Sequence, residues 1–132
     1  MVILIGISEN DNDSFLNKFA RKVSKLRIFN DEFGKMNKNI NDINGEILLV
    51  SQFTLYADAR KGNRPSFIKA AKPENAIKTY NSFIKELQIY IKTKIKTGKF
   101  GADMKINLIN DGPVTIILEN NKNGNKKFTV KS

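Results

Sequence analysis

The chain predicts an α+β fold, a layered β/α/β domain with mainly antiparallel strands and two amphipathic helices, and three observations predict it. About seven short runs are rich in β-branched residues or alternate apolar with polar side chains, as strands do. Two longer runs repeat apolar residues at helical spacing. Turn-forming residues punctuate the stretches between them, with no internal repeat and no linker. The chain has 132 residues, enough for one hydrophobic core, so residues 1–132 are expected to form one domain ending in an additional tail at 120–132.

Val2 to Ile7 is a continuous apolar run, short enough for a strand buried on both faces. Asn10 to Asp13 then offers capping side chains. Phe15, Leu16, Phe19, Val23 and Leu26 follow at helical spacing, with Lys18, Arg21, Lys22 and Lys25 between them, which makes a first helix with a basic outer face. Leu26 to Phe29, the turn residues Asn30 and Asp31, and Lys35 to Ile40 suggest strand, turn and strand. Asn44-Gly45 marks a tighter turn before the strand Glu46 to Val50, and a meander is the simplest arrangement. Tyr56 to Arg64 lacks any period and is expected to be an exposed polar loop. Pro73 suits the first turn of a second helix, although Lys72 is a poor N-cap. Its apolar stripe is Ala76, Ile77, Tyr80, Phe83, Ile84, Leu87 and Ile91. Lys94 to Lys99 alternates like an exposed strand. Met104 to Ile109 and Val114 to Leu118 read as two more, separated by the breaker cluster Asn110 to Pro113. Asn123-Gly124 suggests a last hairpin onto Lys127 to Val130.

Composition narrows the chemistry. An apolar share of 40% with mean hydropathy of −0.38 is that of a folding chain. The balance of 23 Lys and Arg against 13 Asp and Glu, net +10 with pI near 9.8, favours polyanionic partners, nucleic acid first. A Lys-rich surface that is merely solvated is the alternative. With no Cys and no His in the sequence, disulfides, Cys/His zinc sites, thiol nucleophiles and imidazole triads are all excluded. Met1 to Ile7 has neither a basic leader nor a cleavage site, and no run approaches a membrane span. A cytoplasmic location without a membrane partner is therefore expected.

Two segments stand out: Ser51-Gln52-Phe53-Thr54-Leu55 at the end of a buried strand, and Asn110-Asp111-Gly112-Pro113-Val114-Thr115 between two strands. Taken singly, the first can be a strand end whose hydroxyls bond nearby backbone, and the second a simple turn. Together they resemble the two signature motifs of the D-aminoacyl-tRNA deacylase family, Ser-Gln-Phe-Thr-Leu and Asn-x-Gly-Pro-Val-Thr. Arg27-Ile28-Phe29, Gly34-Lys35-Met36-Asn37, Gly62-x-Arg64-Pro65-Ser66-Phe67 and Thr97-Gly98-x-Phe100-x-Ala102-Asp103-Met104 are similar to the same family, in the same order. The resemblance runs from about Val2 to Leu118. At the amino end the pattern departs: the family has an earlier strand with a Gln-Arg pair near the active site. An upstream start is expected in preference to a lineage that dispenses with an edge hairpin, since such a loss exposes core and unpaired backbone.

The resemblance implies hydrolysis of the ester of D-aminoacyl-tRNA as chiral proofreading, in a homodimer and without a cofactor or metal. It places catalysis at Ser51, Gln52, Phe53 and Thr54, where main-chain N–H groups around Phe53 and Thr54 face the scissile carbonyl and the ribose 2′-hydroxyl assists water. A rival has the Thr54 hydroxyl as a covalent nucleophile, but Thr54 lacks the adjacent base such a group requires. Chiral selectivity is implied for Gly112, Pro113, Val114 and Thr115. There a cis Gly-Pro segment from the partner subunit leaves no room for an L side chain and leaves the achiral glycyl ester as a possible substrate. Asp58, Arg60, Lys61 and Arg64 are candidates for contacts to the tRNA end, with solvated loop charge as the alternative. Two other classes stay open: a non-catalytic tRNA-binding module, which accounts for the charge but not the paired motifs, and an inactive paralogue.

Overall fold

A parallel ladder runs through the middle of the main sheet. In the computed structural model, which describes residues 1–11, 13–119 and 128–131, β1 (Val2–Ile5) pairs in parallel with β4 (Leu48–Ser51), and β4 in parallel with β5 (Lys96–Thr97). On its other side β1 pairs antiparallel with β7 (Phe128–Lys131), and β7 antiparallel with β6 (Thr115–Leu118), giving the order β5-β4-β1-β7-β6. The expected mainly antiparallel β/α/β sandwich is thus overturned in favour of one mixed five-stranded sheet. The cause lies in the helices. The helix α1 (Leu16–Ser24) separates β1 from β4 in sequence, and α2 (Pro73–Tyr90) separates β4 from β5. A helical crossover carries the chain back to the end of the sheet it left, so the next strand runs parallel.

The meander fails for the same reason. The hairpin of β2 (Phe29–Asn30) and β3 (Met36–Lys38) stands as a separate two-stranded sheet, and β4 does not join it. Its turn is longer than expected and is built on Asp31. One carboxylate oxygen accepts the Phe33 and Lys35 N–H groups, both at 2.9 Å, and the other accepts the Asn37 amide at 2.7 Å. Met104 to Ile109 also departs from expectation, taking no ladder partner among the described residues although its exposure partly alternates. The Asn123-Gly124 turn and the side chain of Phe128 lie outside the described residues; the backbone of β7 falls one residue from the expected strand.

One face of the sheet packs on the helices. Ile3 and Ile5 of β1 and Leu49 of β4 are at most 1% exposed and share a core with Leu16, Phe19 and Val23 of α1 and with Phe83 and Leu87 of α2. Burying each such side chain is worth about 1.5–3 kcal/mol. Val2 and Leu4, on the opposite face of β1, are only half-buried, so that strand is less enclosed than its apolar run suggests. Pro73 does open α2, and the Lys72 N–H is held by the Glu9 carboxylate at 2.9 Å. Ile77 leaves the expected stripe and is exposed. At the start of α1 no side chain caps the helix. Of the expected caps, Asp11 instead accepts the Ser8 N–H at 2.8 Å, while Asn12 lies outside the described residues.

Within this core the Tyr80 hydroxyl donates to the Leu49 carbonyl at 2.9 Å, tying α2 to β4. Burial pushes the phenol pKa up, which keeps the donor protonated. Tyr80→Phe would leave that carbonyl lone pair without its donor, and a buried polar group left unmet costs about 1–3 kcal/mol. Urea unfolding should show a loss in that range; an unchanged midpoint would mean the bond is not made in solution.

Candidate active site

Three parallel strands deliver three segments to one place. The chain beyond β1 brings Ile7, the end of β4 brings Ser51, Gln52 and Phe53, and the segment after β5 brings Phe100 to Met104. All of these line one cleft of about 660 Å³. In open sheets with parallel strands and helical crossovers, ligands bind beyond the carboxyl ends of the strands, where loops can diverge around a ligand.

The Ser51–Thr54 segment is set by backbone. The Gln52 N–H donates to the Ile5 carbonyl at 2.8 Å, one step past the last β1–β4 pair. The chain then tightens into a 3-10 turn over Phe53–Tyr56, whose first bond runs from the Leu55 N–H to the Gln52 carbonyl at 3.2 Å. The Phe53 and Thr54 N–H groups precede that bond, as the first donors of a helical turn do, and so stand ready for an external acceptor. Gly6 permits this approach: a Cβ there would lie 3.0 Å from Leu55 Cβ and 3.1 Å from the Tyr56 ring. Tyr56, expected in the exposed loop, is buried by the same packing.

The side chains divide the work. Ser51, Gln52 and Phe53 line the cleft, and Thr54 does not; its hydroxyl oxygen accepts a hydrogen bond from the Gln52 side-chain amide. Phe53 is 59% exposed and meets Phe67 edge to face, with centroids 5.1 Å apart. Phe100 crosses from the far wall to pack on Tyr80 at 5.7 Å. Among the charged groups of the described residues, Lys72 and Asp103 alone line the cleft. Phe67, Lys72 and Phe100 to Met104 were not among the expected site residues. The signal that could have found most of them was the pair of segments Gly62 to Phe67 and Thr97 to Met104, which carried resemblance without an assigned role.

The remaining expected residues lie elsewhere. None of Gly112, Pro113, Val114 and Thr115 lines the cleft of this chain. Their segment is held by Asn110, whose side-chain oxygen accepts the Val114 N–H and whose amide reaches the Thr115 hydroxyl, both at 3.2 Å. The Gly112–Pro113 bond is cis, and Gly112 has φ of +119°. The polar loop is more ordered than expected, since Asp58 and Ser66 exchange backbone hydrogen bonds at 2.8 and 2.9 Å across its base. Asp58 and Arg60 form an ion pair beside a shallower hollow of about 420 Å³, which Lys69 also lines. Lys61 and Arg64 are exposed and form no ion pair among the described residues. The described residues contain no group of three or more His, Cys, Asp or Glu that could hold a metal, and no helix among them is long and apolar enough to cross a membrane.

Residues 1–119 match the family model described as D-Tyr-tRNA(Tyr) deacylase. The D-aminoacyl-tRNA deacylase of Cytophaga hutchinsonii is 53% identical over 119 residues, covering 90% of this chain and 79% of the relative. That of Flavobacterium psychrophilum is 55% identical with the same coverage. Among solved structures, one described as c-Myc DNA Unwinding Element Binding Protein superposes with a TM-score of 0.84 at 46% identity, over 91% of this chain and 81% of that one. Another, described as a probable eukaryotic D-amino acid tRNA deacylase, has a TM-score of 0.64 over 77% of this chain and 75% of that one. It is 14% identical and shares the fold alone.

The Asp58–Arg60 pair has a measurable signature. Hydrogen bonds from the Arg60 side chain, then from its backbone N–H, hold the Asp58 carboxyl far below the usual carboxylate range. A depressed folded pKa means the pair is intact above that range and is lost only as pH falls through the depressed value. A carbon NMR titration of Asp58 should therefore show a midpoint well under the ordinary value of about 3.9, and a midpoint at that value would show Arg60 to be free in solution.

Proposed function

This chain belongs to the D-Tyr-tRNA(Tyr) deacylase family, and from that premise we propose that it hydrolyses the ester of D-aminoacyl-tRNA, releasing the D-amino acid and free tRNA. The observation that carries the proposal is the position of Ser51, Gln52 and Phe53 on the wall of the cleft into which the three parallel strands open. The segment that resembles the family's signature lies where the fold leaves room for a ligand.

Ester hydrolysis requires a water and a stabilised tetrahedral oxyanion. With no His or Cys in the chain, the Phe53 and Thr54 N–H groups are the donors for that oxyanion, and the neighbouring ribose 2′-hydroxyl of the substrate assists the water. The Thr54 hydroxyl positions. Its partner is a carboxamide donor, which cannot take a proton as the base of a nucleophile must. Gln52 thereby fixes the Thr54 side chain, and Ser51 and Phe53 shape the wall.

Gly112, Pro113, Val114 and Thr115 act in the second subunit of a homodimer, where their backbone borders the partner's cleft and excludes an L side chain by shape. Two features support this. The exposed apolar side chains of Ile109, 90% exposed, and Ile117, 60% exposed, flank the segment and supply a surface for association. Gly112 also has no tolerance for a side chain: with its positive φ, an added Cβ would lie 2.9 Å from Val114 Cγ2. A backbone wall of this kind admits the achiral glycyl ester along with D esters. Arg60, Lys61 and Arg64 contact the tRNA end, with Arg60 doing so from its pair with Asp58. Residues 1–132 work as one domain, in the cytoplasm where charged tRNA is found.

Time courses with D-tyrosyl-tRNA and L-tyrosyl-tRNA test the activity. Turnover of the D ester alone is expected; equal rates on both, or none on either from folded protein, would exclude the assignment. Removing one oxyanion donor typically costs roughly 10²–10³ in kcat, and Thr54→Ala should fall short of that range and leave no acyl-enzyme for mass spectrometry to detect. A larger loss together with a covalent adduct on the parent protein would make Thr54 the nucleophile. Gly112→Ala should erode D-over-L discrimination while sedimentation still shows a dimer.

A further inference from the structure

The outer face of α1 carries a cationic stripe that the cleft does not use. Lys18, Arg21, Lys22 and, at the C-cap, Lys25 are all exposed. They are spaced i, i+3, i+4 and i+7, so they share one face of the helix. None of the four takes part in an ion pair among the described residues, and α1 itself contains no acidic residue. The nearby acid of α2 is otherwise engaged, since Glu86 accepts a hydrogen bond from the Asn17 amide at 3.0 Å.

This arrangement opposes the stability of the isolated helix. Lys18 with Lys22 and Arg21 with Lys25 are like-charge pairs at i, i+4, which destabilise a helix. In α2 both signs are present instead, with Glu74 four residues ahead of Lys78, the favourable order, and Glu86 next to Lys85. The lysine-rich composition of the chain therefore does not force an acid-free face on a helix. A polyanion lying along α1 would neutralise this repulsion.

We propose that this face of α1 is an anchoring surface for the sugar-phosphate backbone of tRNA, separate from the cleft that holds the reactive end. The proposal rests on the deacylase reading for the identity of the polyanion. Position agrees with it: the chain leaves the cleft wall at Ile7, pairs Ser8 with Ala70 in a short antiparallel bridge, and then enters α1. Ala70, the partner of Ser8, is itself on the cleft wall, so the chain that feeds α1 departs from the cleft. From Lys18 to Lys25 the stripe is about 10 Å long at 1.5 Å per residue, enough to face about three phosphates of one strand at 3.4 Å of helix axis each.

The test uses the full chain carrying K18Q, R21Q, K22Q and K25Q together, with deacylated tRNA as the binding probe in fluorescence anisotropy. Its Kd should rise about tenfold or more at 0.1 M salt, and the slope of log affinity against log salt should become shallower by about 2 to 3, close to 0.9 for each lost phosphate contact. A variant with Lys18, Lys22 and Lys25 changed to Arg should retain the parent affinity. Hydrolysis is followed in parallel on D-aminoacyl-tRNA and on the D-aminoacyl ester of adenosine alone, and kcat/KM should fall only for the former. Unchanged tRNA affinity and salt slope would overturn the proposal, as would an equal loss on both esters. Failure of the parent protein on both esters would instead refute the deacylase reading, and the binding arm would still decide the role of the stripe.

Discussion

Ile5 and Ser51 face each other on the last rung of the parallel ladder between β1 and β4, and one residue further the Gln52 N–H reaches the Ile5 carbonyl. The geometry of the candidate site hangs on that register. Because the two strands run in the same direction, their carboxyl ends stop at the same edge of the sheet, and β5 joins them there. Ile7, Ser51 to Phe53 and Phe100 to Met104 come from distant parts of the sequence and meet because three parallel strands release them together. Antiparallel pairing would have sent the segment after β4 to the opposite edge from that after β1.

The packing beneath the ladder keeps this edge in place. Ile3, Ile5 and Leu49 are clamped by α1 and α2, and Tyr80 adds a directional bond to the Leu49 carbonyl two residues before Ser51. Tyr80 also touches Phe100, so a single side chain of α2 contacts both β4 and one wall of the cleft. Gly6 completes the support by its lack of a side chain, which lets the 3-10 turn settle on the end of β1. The Phe53 and Thr54 N–H groups are consequently fixed in direction by the sheet and the turn. Fixed dipoles of this kind need no reorganisation as charge develops in a transition state.

Charge is distributed by the same economy of placement. Acids and bases are mixed along α2 and pair at Glu46 with Lys96 and at Asp58 with Arg60, whereas α1 carries bases alone. The cleft itself carries little charge, with Lys72 and Asp103 the charged groups on its walls among the described residues. The exposed cations of α1 thus lie outside the cleft lining, in a separate part of the surface.

The sequence alone determined the types of most elements, because the interval between apolar residues records which face of a segment is buried. The stripe of α2 from Ala76 to Leu87, its start at Pro73 and the basic face of α1 were all legible in this way. So was the absence of His and Cys, and so was the segment Ser51 to Thr54 as the place to look, of which Ser51, Gln52 and Phe53 line the cleft. Strand direction was not legible: the apolar runs of β1 and β4 read the same whether neighbours run with or against each other, and only backbone pairing between residues some 46 positions apart, such as Val2 with Leu48, decides it. The same holds for Met104 to Ile109, whose alternation found no ladder partner among the described residues, and for Arg60, whose charge is met by Asp58. Phe67, Lys72 and Phe100 to Met104 joined the site only in three dimensions, because the carboxyl edge of a parallel sheet is a property of the folded backbone and leaves no periodic trace in the chain.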